Sequence, residues 1–226
     1  MKRDRSTTVA RAGRGSAALD LICCTAVDRR LAVLTTVGPG ARGRGLPWTP
    51  LDPRGALDVT VLRWTRKLLG RAPSWMTQLG AFSAGGRHPS GAALTVAYLA
   101  VVPVGTEAPD GLTWSPATEP PPLPPGRQWI LDAAIAGLRD RMDIAPVAFR
   151  MLPATFTLSD LQQVYELLLG RRLHKASFRR ALQAAFLVEP TDSWRSEGRG
   201  RPAQLYRYAP RKRRGVRRSV RFELLG

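Results

Sequence analysis

Acidic residues are scarce in this sequence: 17 Asp and Glu stand against 35 Lys and Arg in 226 residues, a formal charge of +18. Cysteine is scarcer still. The only two, Cys23 and Cys24, are adjacent in LDLICCTAV. Neighbouring strand positions face opposite ways, so they make a poor disulfide or metal pair, and buried free thiols are expected. Long apolar runs are also missing, since none reaches the roughly 18–20 residues that cross a bilayer. Asp20 interrupts the apolar part of the N-terminal stretch and no secretory-type cleavage pattern follows it. The expected compartment is therefore the cytoplasm, and for a basic protein the nucleoid.

What is present is concentrated positive charge. Arg171 to Gly226 carries 16 basic and four acidic residues, a net of +12, whereas Gly45 to Gly170 carries ten of each. Met1 to Arg44 adds nine basic and three acidic residues. Charge gathered at one end of a chain points to a polyanionic partner held by one part of the molecule. With 44% hydrophobic and 23% charged residues the remainder has a globular composition, and the length suits one full domain and a smaller second one.

The pattern divides the chain into a disordered basic N-terminus (1–16), an α/β domain (17–145), a second domain (146–210) and a basic extension (211–226). Leu19–Ala26 and Leu31–Val37 read as strands around an Asp28-Arg29-Arg30 turn, followed by a Gly/Arg-rich loop from Gly38 to Gly45. From Gly55 or Ala56 to Leu69 the pattern reads as a helix stopped by Gly70, and Ala93–Val102 reads as an apolar strand. AFSAGGRHPSG before that strand reads as a turn-rich loop. The five prolines of Glu119–Gly126 predict a rigid, non-helical connection, with a helix from Gln128 to Arg141. In the second domain Thr157, with Asp160 three residues on, is the expected cap of a helix reaching Leu169. Its buried stripe is Leu161, Val164, Tyr165 and Leu168. A second helix is expected from Lys175 to Ala185, then a short strand LVEP, a loop DSWRSEGRGRP and a strand AQLYRY.

Helix, turn, helix, strand, glycine-bearing loop, strand is the order of a winged helix-turn-helix, in which the second helix is offered to the major groove and the loop is the wing. His174, Lys175, Ser177, Arg179 and Arg180 start and line that second helix, with Phe178 as its anchor. Arg and Lys pair bidentately with guanine edges and Ser serves several bases, so Lys175, Ser177 and Arg179 are candidates for base contact. Several of the five are expected to hold phosphates instead, which sets register without reading sequence. Arg199 and Arg201 flank Gly200 in the wing and suit a narrow minor groove. Arg211, Lys212, Arg213 and Arg214 suit phosphate neutralisation with steep salt dependence. The expected partner is double-stranded DNA.

Three stretches carry a family likeness: QLGAFSAGGRHPSGAALTVAYLAVVP at Gln78–Pro103, FTLSDLQQVYELLLGRRLHKASFRRAL at Phe156–Leu182, and GRPAQLYRY at Gly200–Tyr208. In them the chain resembles the Nudix-related transcriptional regulators, over roughly Leu19 to Ala209. The resemblance implies a mixed-sheet, Nudix-like α/β/α domain followed by the winged helix. It also implies a homodimeric repressor that senses ADP-ribose or a related nucleotide. Arg42, Arg44, Arg63 and Arg87 are the candidates for a positive ligand pocket.

Against the family's patterns the chain departs in several places. Aligned on Arg63 and Gly70, the glutamate positions of the Nudix metal motif hold Gly55, Trp64, Lys67 and Leu68, and its opening glycine position holds Thr49. Only Asp58 on that helix is acidic. Mg²⁺ needs an oxygen-rich site, so no hydrolysis, catalytic residue, metal or cofactor is expected. In the effector loop Ala84 and His88 replace two aspartates, and Leu46-Pro47-Trp48-Thr49 puts bulk where the family has bare backbone. His88, with no acidic or nucleophilic partner nearby in sequence, reads as an ordinary loop residue. A ligand-independent nucleic-acid-binding or assembly protein, with the first domain only a dimerisation platform, is the alternative.

Overall fold

The computed structural model describes residues 17–36, 45–52, 55–83, 88–120, 122–142, 145–196 and 202–209. The expected disordered N-terminus, the Gly38–Gly45 loop apart from Gly45 itself, and the C-terminal extension therefore lie outside the described residues.

Strands β1 (Ala18–Val27) and β2 (Arg30–Thr36) form the expected hairpin. Its turn residues Asp28 and Arg29 have φ of 47° and 59°, the left-handed pair whose twist matches the flanking strands. Six strands make one mixed sheet in the order β4-β5-β1-β2-β6, with β3 (Trp48–Pro50) paired to the start of β1. The other members are β4 (Trp75–Ser83), β5 (Leu94–Val101) and β6 (Leu112–Pro116). β1 runs parallel to β5, and the remaining pairs are antiparallel.

Both faces of this sheet are covered, which is why β1 and β5 read as nearly unbroken apolar runs. Leu19, Leu21 and Cys23 pack beneath helix α1 (Leu57–Leu69), with Val61 and Leu69 above them. The alternate residues Ile22 and Cys24 face helix α2 (Pro125–Asp140), against Ile130, Leu131, Ala134 and Leu138. The two thiols are free and buried on opposite faces, as the alternation requires. Burial pushes Cys24 up to about 12 and Cys23 well above its usual value, so neither supplies a thiolate at neutral pH.

Three boundaries differ from the sequence expectation. β4 occupies a stretch partly read as loop; it bulges between Gln78 and Gly80, which breaks the alternation that marks a strand. α2 starts at Pro125 rather than Gln128, because proline lacks an N–H that the first turn would leave unpaired anyway. The strand after the second helix of the winged domain extends to Arg195 instead of ending at LVEP.

The second domain comprises α3 (Val147–Arg150), α4 (Leu158–Leu169), α5 (Lys175–Ala185) and the hairpin β7 (Val188–Arg195) and β8 (Ala203–Tyr208). Its core is continuous with the α2 face of the sheet: Leu138, Met142, Phe149, Leu161 and Phe178 belong to one buried cluster. Among the described residues no helix is long and apolar enough to cross a membrane.

Candidate nucleic-acid interface

The winged domain is organised around Phe149, whose ring lies 4.5 Å from Tyr208, 5.9 Å from Phe156 and 6.3 Å from Tyr165. Tyr165 in turn meets Phe178 of α5 edge-on at 5.4 Å. Helix α4 begins with the predicted capping box. Thr157 Oγ1 accepts from the Asp160 N–H at 3.1 Å, and the Asp160 carboxylate accepts from the Thr157 N–H at 2.8 Å. The helix ends at Gly170, φ 70°, and the chain turns into α5. That turn is braced from α4: Glu166 Oε1 accepts the Leu173 N–H at 2.9 Å, and Gln162 Nε2 donates to the Leu173 carbonyl at 3.0 Å.

Helix α5 is thereby fixed with one face inward. Phe178 and Leu182 are fully buried, while His174, Lys175, Arg179 and Arg180 are exposed. At 3.6 residues per turn Lys175 and Arg179 are stacked one turn apart on one flank. Arg180 stands opposite Phe178 and Leu182. Ser177 is half-buried, and its hydroxyl lies 3.2 Å from His174 Nδ1 at the helix start. No acidic residue occupies the first turn of α5, so the positive end of the helix dipole adds to these cations rather than opposing them.

The wing is anchored to α4. Arg195 Nη2 donates to Asp160 Oδ1 at 2.8 Å, and Phe156 pairs with Tyr206 of β8. Partial burial raises the Asp160 pKa, but the Arg195 guanidinium and Thr157 outweigh it and hold the carboxyl below its ordinary value. Glu166 behaves alike: burial pushes it up, and the Leu173 N–H, Gln162 and Arg172 bring it down further. The wing candidates Arg199 and Arg201, and Arg211, Lys212, Arg213 and Arg214, lie outside the described residues.

In the first domain three ionisable side chains, Asp20, His88 and Arg127, are buried. Asp20 lies on the α2 face of β1 and is fully buried. Its Oδ1 is 2.8 Å from Arg127 Nη2 in the first turns of α2, and its Oδ2 accepts from Thr95 Oγ1 at 2.9 Å. Burial lowers the pKa of Arg127, with Asp20 pulling the other way. Arg127 also donates to the Leu46 carbonyl.

His88 completes this group, which corrects its reading as an ordinary loop residue. Nε2 is 3.4 Å from Asp20 Oδ2 and 3.0 Å from Arg127 Nη1, and Nδ1 is 2.6 Å from Ser90 Oγ. All these partners except Ser90 are remote in sequence. Trp48 packs edge-on against the ring at 5.2 Å. Ser, His and Asp in a row could suggest a nucleophile, but the adjoining cavity is only about 20 Å³, room for about one water.

Of the four ligand-pocket candidates, Arg63 is exposed on α1, on the sheet face away from Arg127. Arg42, Arg44 and Arg87 lie outside the described residues. Asp58, the carboxylate on α1, accepts a hydrogen bond from Tyr98 Oη at 2.7 Å. Among the described residues no group of three or more His, Cys, Asp or Glu could hold a metal ion.

Residues 148–208 match the model of the NrtR DNA-binding winged helix domain. The two-domain arrangement is similar to the crystal structure of Shewanella oneidensis NrtR complexed with a 27mer DNA. That match has a TM-score of 0.73 at 29% identity, covering 86% of this chain and 94% of that one. The chain thus has a domain similar to the NrtR winged helix behind a domain of Nudix-like fold. A MutT/nudix family protein from Enterococcus faecalis shares the fold, with a TM-score of 0.67 at 20% identity over 87% of this chain and 89% of that one. Over 80 residues the chain is 40% identical to the ADPR responsive transcriptional repressor NtrR of Acinetobacter baylyi. This match takes in 35% of the chain and 32% of the relative, so it spans about a third of the curated protein's length.

Within the NrtR winged helix the five described candidates, His174, Lys175, Ser177, Arg179 and Arg180, sit together on one short helix. Sequence reasoning missed Asp20 and Arg127. One signal was available: a lone acidic residue inside an otherwise apolar strand has to find a cation or lose its charge.

Proposed function

We propose that this chain is a sequence-specific DNA-binding transcriptional repressor acting as a homodimer in the cytoplasm, on the nucleoid. The observation that carries the reading is the division of α5: two fully buried anchors behind, and Lys175, Arg179 and Arg180 exposed in front. Such a helix can enter a major groove without uncovering its core, and there Arg and Lys read guanine edges. Arg199, Arg201 and the Arg211–Arg214 run would hold phosphates on either side. A two-fold pair of winged helices would read two half-sites, with the Nudix-like domain as the dimerising and effector part.

The effector of this reading is ADP-ribose or a related nucleotide, which the ADPR response named for the Acinetobacter relative supports. Arg42, Arg44, Arg63 and Arg87 supply its positive surroundings. The Nudix-like domain does no hydrolysis in this account: Gly55, Trp64, Lys67 and Leu68 replace the metal-binding glutamates, and Asp58 is engaged by Tyr98. One observation favours the ligand-independent alternative. Trp48, at a position where the family has bare backbone, packs against His88, and the cavity that His88 lines is about 20 Å³.

Genome-wide mapping of bound DNA, followed by quantitative binding to a recovered site with and without ADP-ribose, tests these readings. A shared palindromic site whose affinity ADP-ribose changes is the expected result. Uniform binding to any sequence overturns the repressor reading, and a specific site insensitive to ADP-ribose favours the alternative. Metal-dependent turnover of ADP-ribose that Asp58→Asn abolishes would overturn the assignment of no hydrolysis.

A further inference from the structure

A cavity of about 470 Å³ lies between the two domains. It is bounded by the tip of the β1–β2 hairpin, the end of β6, the outer side of α2, and the α4–α5 turn. Its volume falls within the ~300–1,000 Å³ usual for small-molecule sites. Five arginines line it: Arg29 and Arg30 from the hairpin, Arg139 from α2, and Arg171 and Arg172 from the turn. Two carboxylates, Glu119 and Glu166, oppose them, which leaves a surplus of three positive charges. Leu31, Ile135 and Leu167 give it an apolar floor.

Arg29 and Arg30 meet no carboxylate among the described residues within ion-pair distance. Arg139 uses Nε, which donates to the Leu168 carbonyl at 2.9 Å and so covers an end of α4 that would otherwise repel an anion. Arg172 reaches Glu166 Oε2 at only 3.4 Å, and its side chain is 95% exposed. Guanidiniums converging from three separate elements match the several oxygens of a phosphate better than the two of a carboxylate.

We propose that this interdomain cavity binds a small organic phosphate or diphosphate, at a site separate from the Nudix-like pocket, and that the bound anion holds the winged helix in one position against the first domain. The link to the recognition helix is Glu166. It pairs with Arg172 at the cavity's rim and receives the N–H of Leu173, immediately before the first residues of α5. An anion that draws Arg172 toward the hairpin arginines changes that brace. By linkage, whatever the anion does to DNA affinity, DNA does to anion affinity. The site itself stands independently of the DNA-binding reading; the coupling rests on it.

Isothermal titration of the full chain with inorganic pyrophosphate tests the site. Because the basic ends also attract this probe, the decisive quantity is a difference between variants. Arg30→Gln/Arg172→Gln removes two exposed cavity charges, and Arg66→Gln/Arg71→Gln removes two exposed charges of α1 and its C-terminal end as a control. Saturable binding that weakens ~10-fold or more in the first and is unchanged in the second is expected. Arg29→Asn/Arg30→Gln, confined to the hairpin tip, should reproduce the loss if the first variant unfolds. Equal binding by all variants overturns the proposal. So does a loss of DNA affinity in the cavity variants with pyrophosphate binding intact, since the arginines then serve the DNA backbone. Pyrophosphate at constant ionic strength should shift the affinity for a specific duplex in the wild type and not in Arg30→Gln/Arg172→Gln. An equal shift in both removes the coupling.

Discussion

The two domains treat charge in opposite ways. The Nudix-like domain takes an aspartate, an arginine and a histidine into its interior and ties them to each other. The winged helix keeps its cations outside and buries aromatic rings beneath them. A cation already paired inside a fold cannot meet a new anion without breaking that fold, whereas an exposed one on a braced helix can. The comparison therefore separates residues that hold the molecule together from residues available for a partner, and it predicts different phenotypes for arginines that look alike in the sequence.

The largest contrast should come from Asp20. Asp20→Ala leaves Arg127 buried and unpaired, and breaking such a pair costs about 3–5 kcal/mol. Urea denaturation of the variant measures this, and a loss under about 1 kcal/mol would mean that the pair is not dry. Arg179→Ala, by contrast, should leave urea stability within about 0.5 kcal/mol while it lowers affinity for a specific site by about 1–3 kcal/mol. A large stability loss there would show that Arg179 belongs to the fold.

A smaller effect belongs to Asp160, where the wing meets α4. Its carboxyl titrates lower in the folded protein than in the unfolded chain. Its contribution is thus complete above the ordinary carboxylate range, about pH 4, and is lost as pH falls through the lowered folded value. Asp160→Asn should cost about 1 kcal/mol at pH 7 and flatten the acid limb of stability in the winged helix. An unchanged acid limb would remove Asp160 from the account. The smallest effect is Arg172→Gln, whose ion pair with Glu166 is exposed on one side. It should change stability by less than about 0.5 kcal/mol.

The same contrast governs what could be read from the sequence. The two main helices of the winged domain were legible almost to the residue, because their determinants are local, whereas its strand β7 runs on to Arg195. Thr157 and Asp160 are three residues apart, the stripe from Leu161 to Leu168 has helical spacing, and Phe178 and Leu182 are one turn apart. The Nudix-like domain was legible in its strands β1, β2 and β5 and in α1, but not in β4, where the bulge at Gly80 interrupts the period. Its buried group was not legible at all. Asp20, His88, Thr95 and Arg127 come from four separate segments, and only the parallel pairing of β1 with β5 and the docking of α2 bring them together. The interdomain cavity was hidden for the same reason: its arginines meet only once the hairpin, α2 and the α4–α5 turn are placed.

The central claim is that α5 reads base sequence. It is tested most directly by measuring, at one fixed salt concentration, the affinities of the full chain and of Arg179→Ala for a genome-selected duplex and for a scrambled duplex of equal length. The account predicts that the wild type prefers the selected duplex by ~10³-fold or more, and that the variant loses much of this preference with its affinity for scrambled DNA little changed. Equal affinity of the wild type for both duplexes, or a parallel loss on both in the variant, would contradict it.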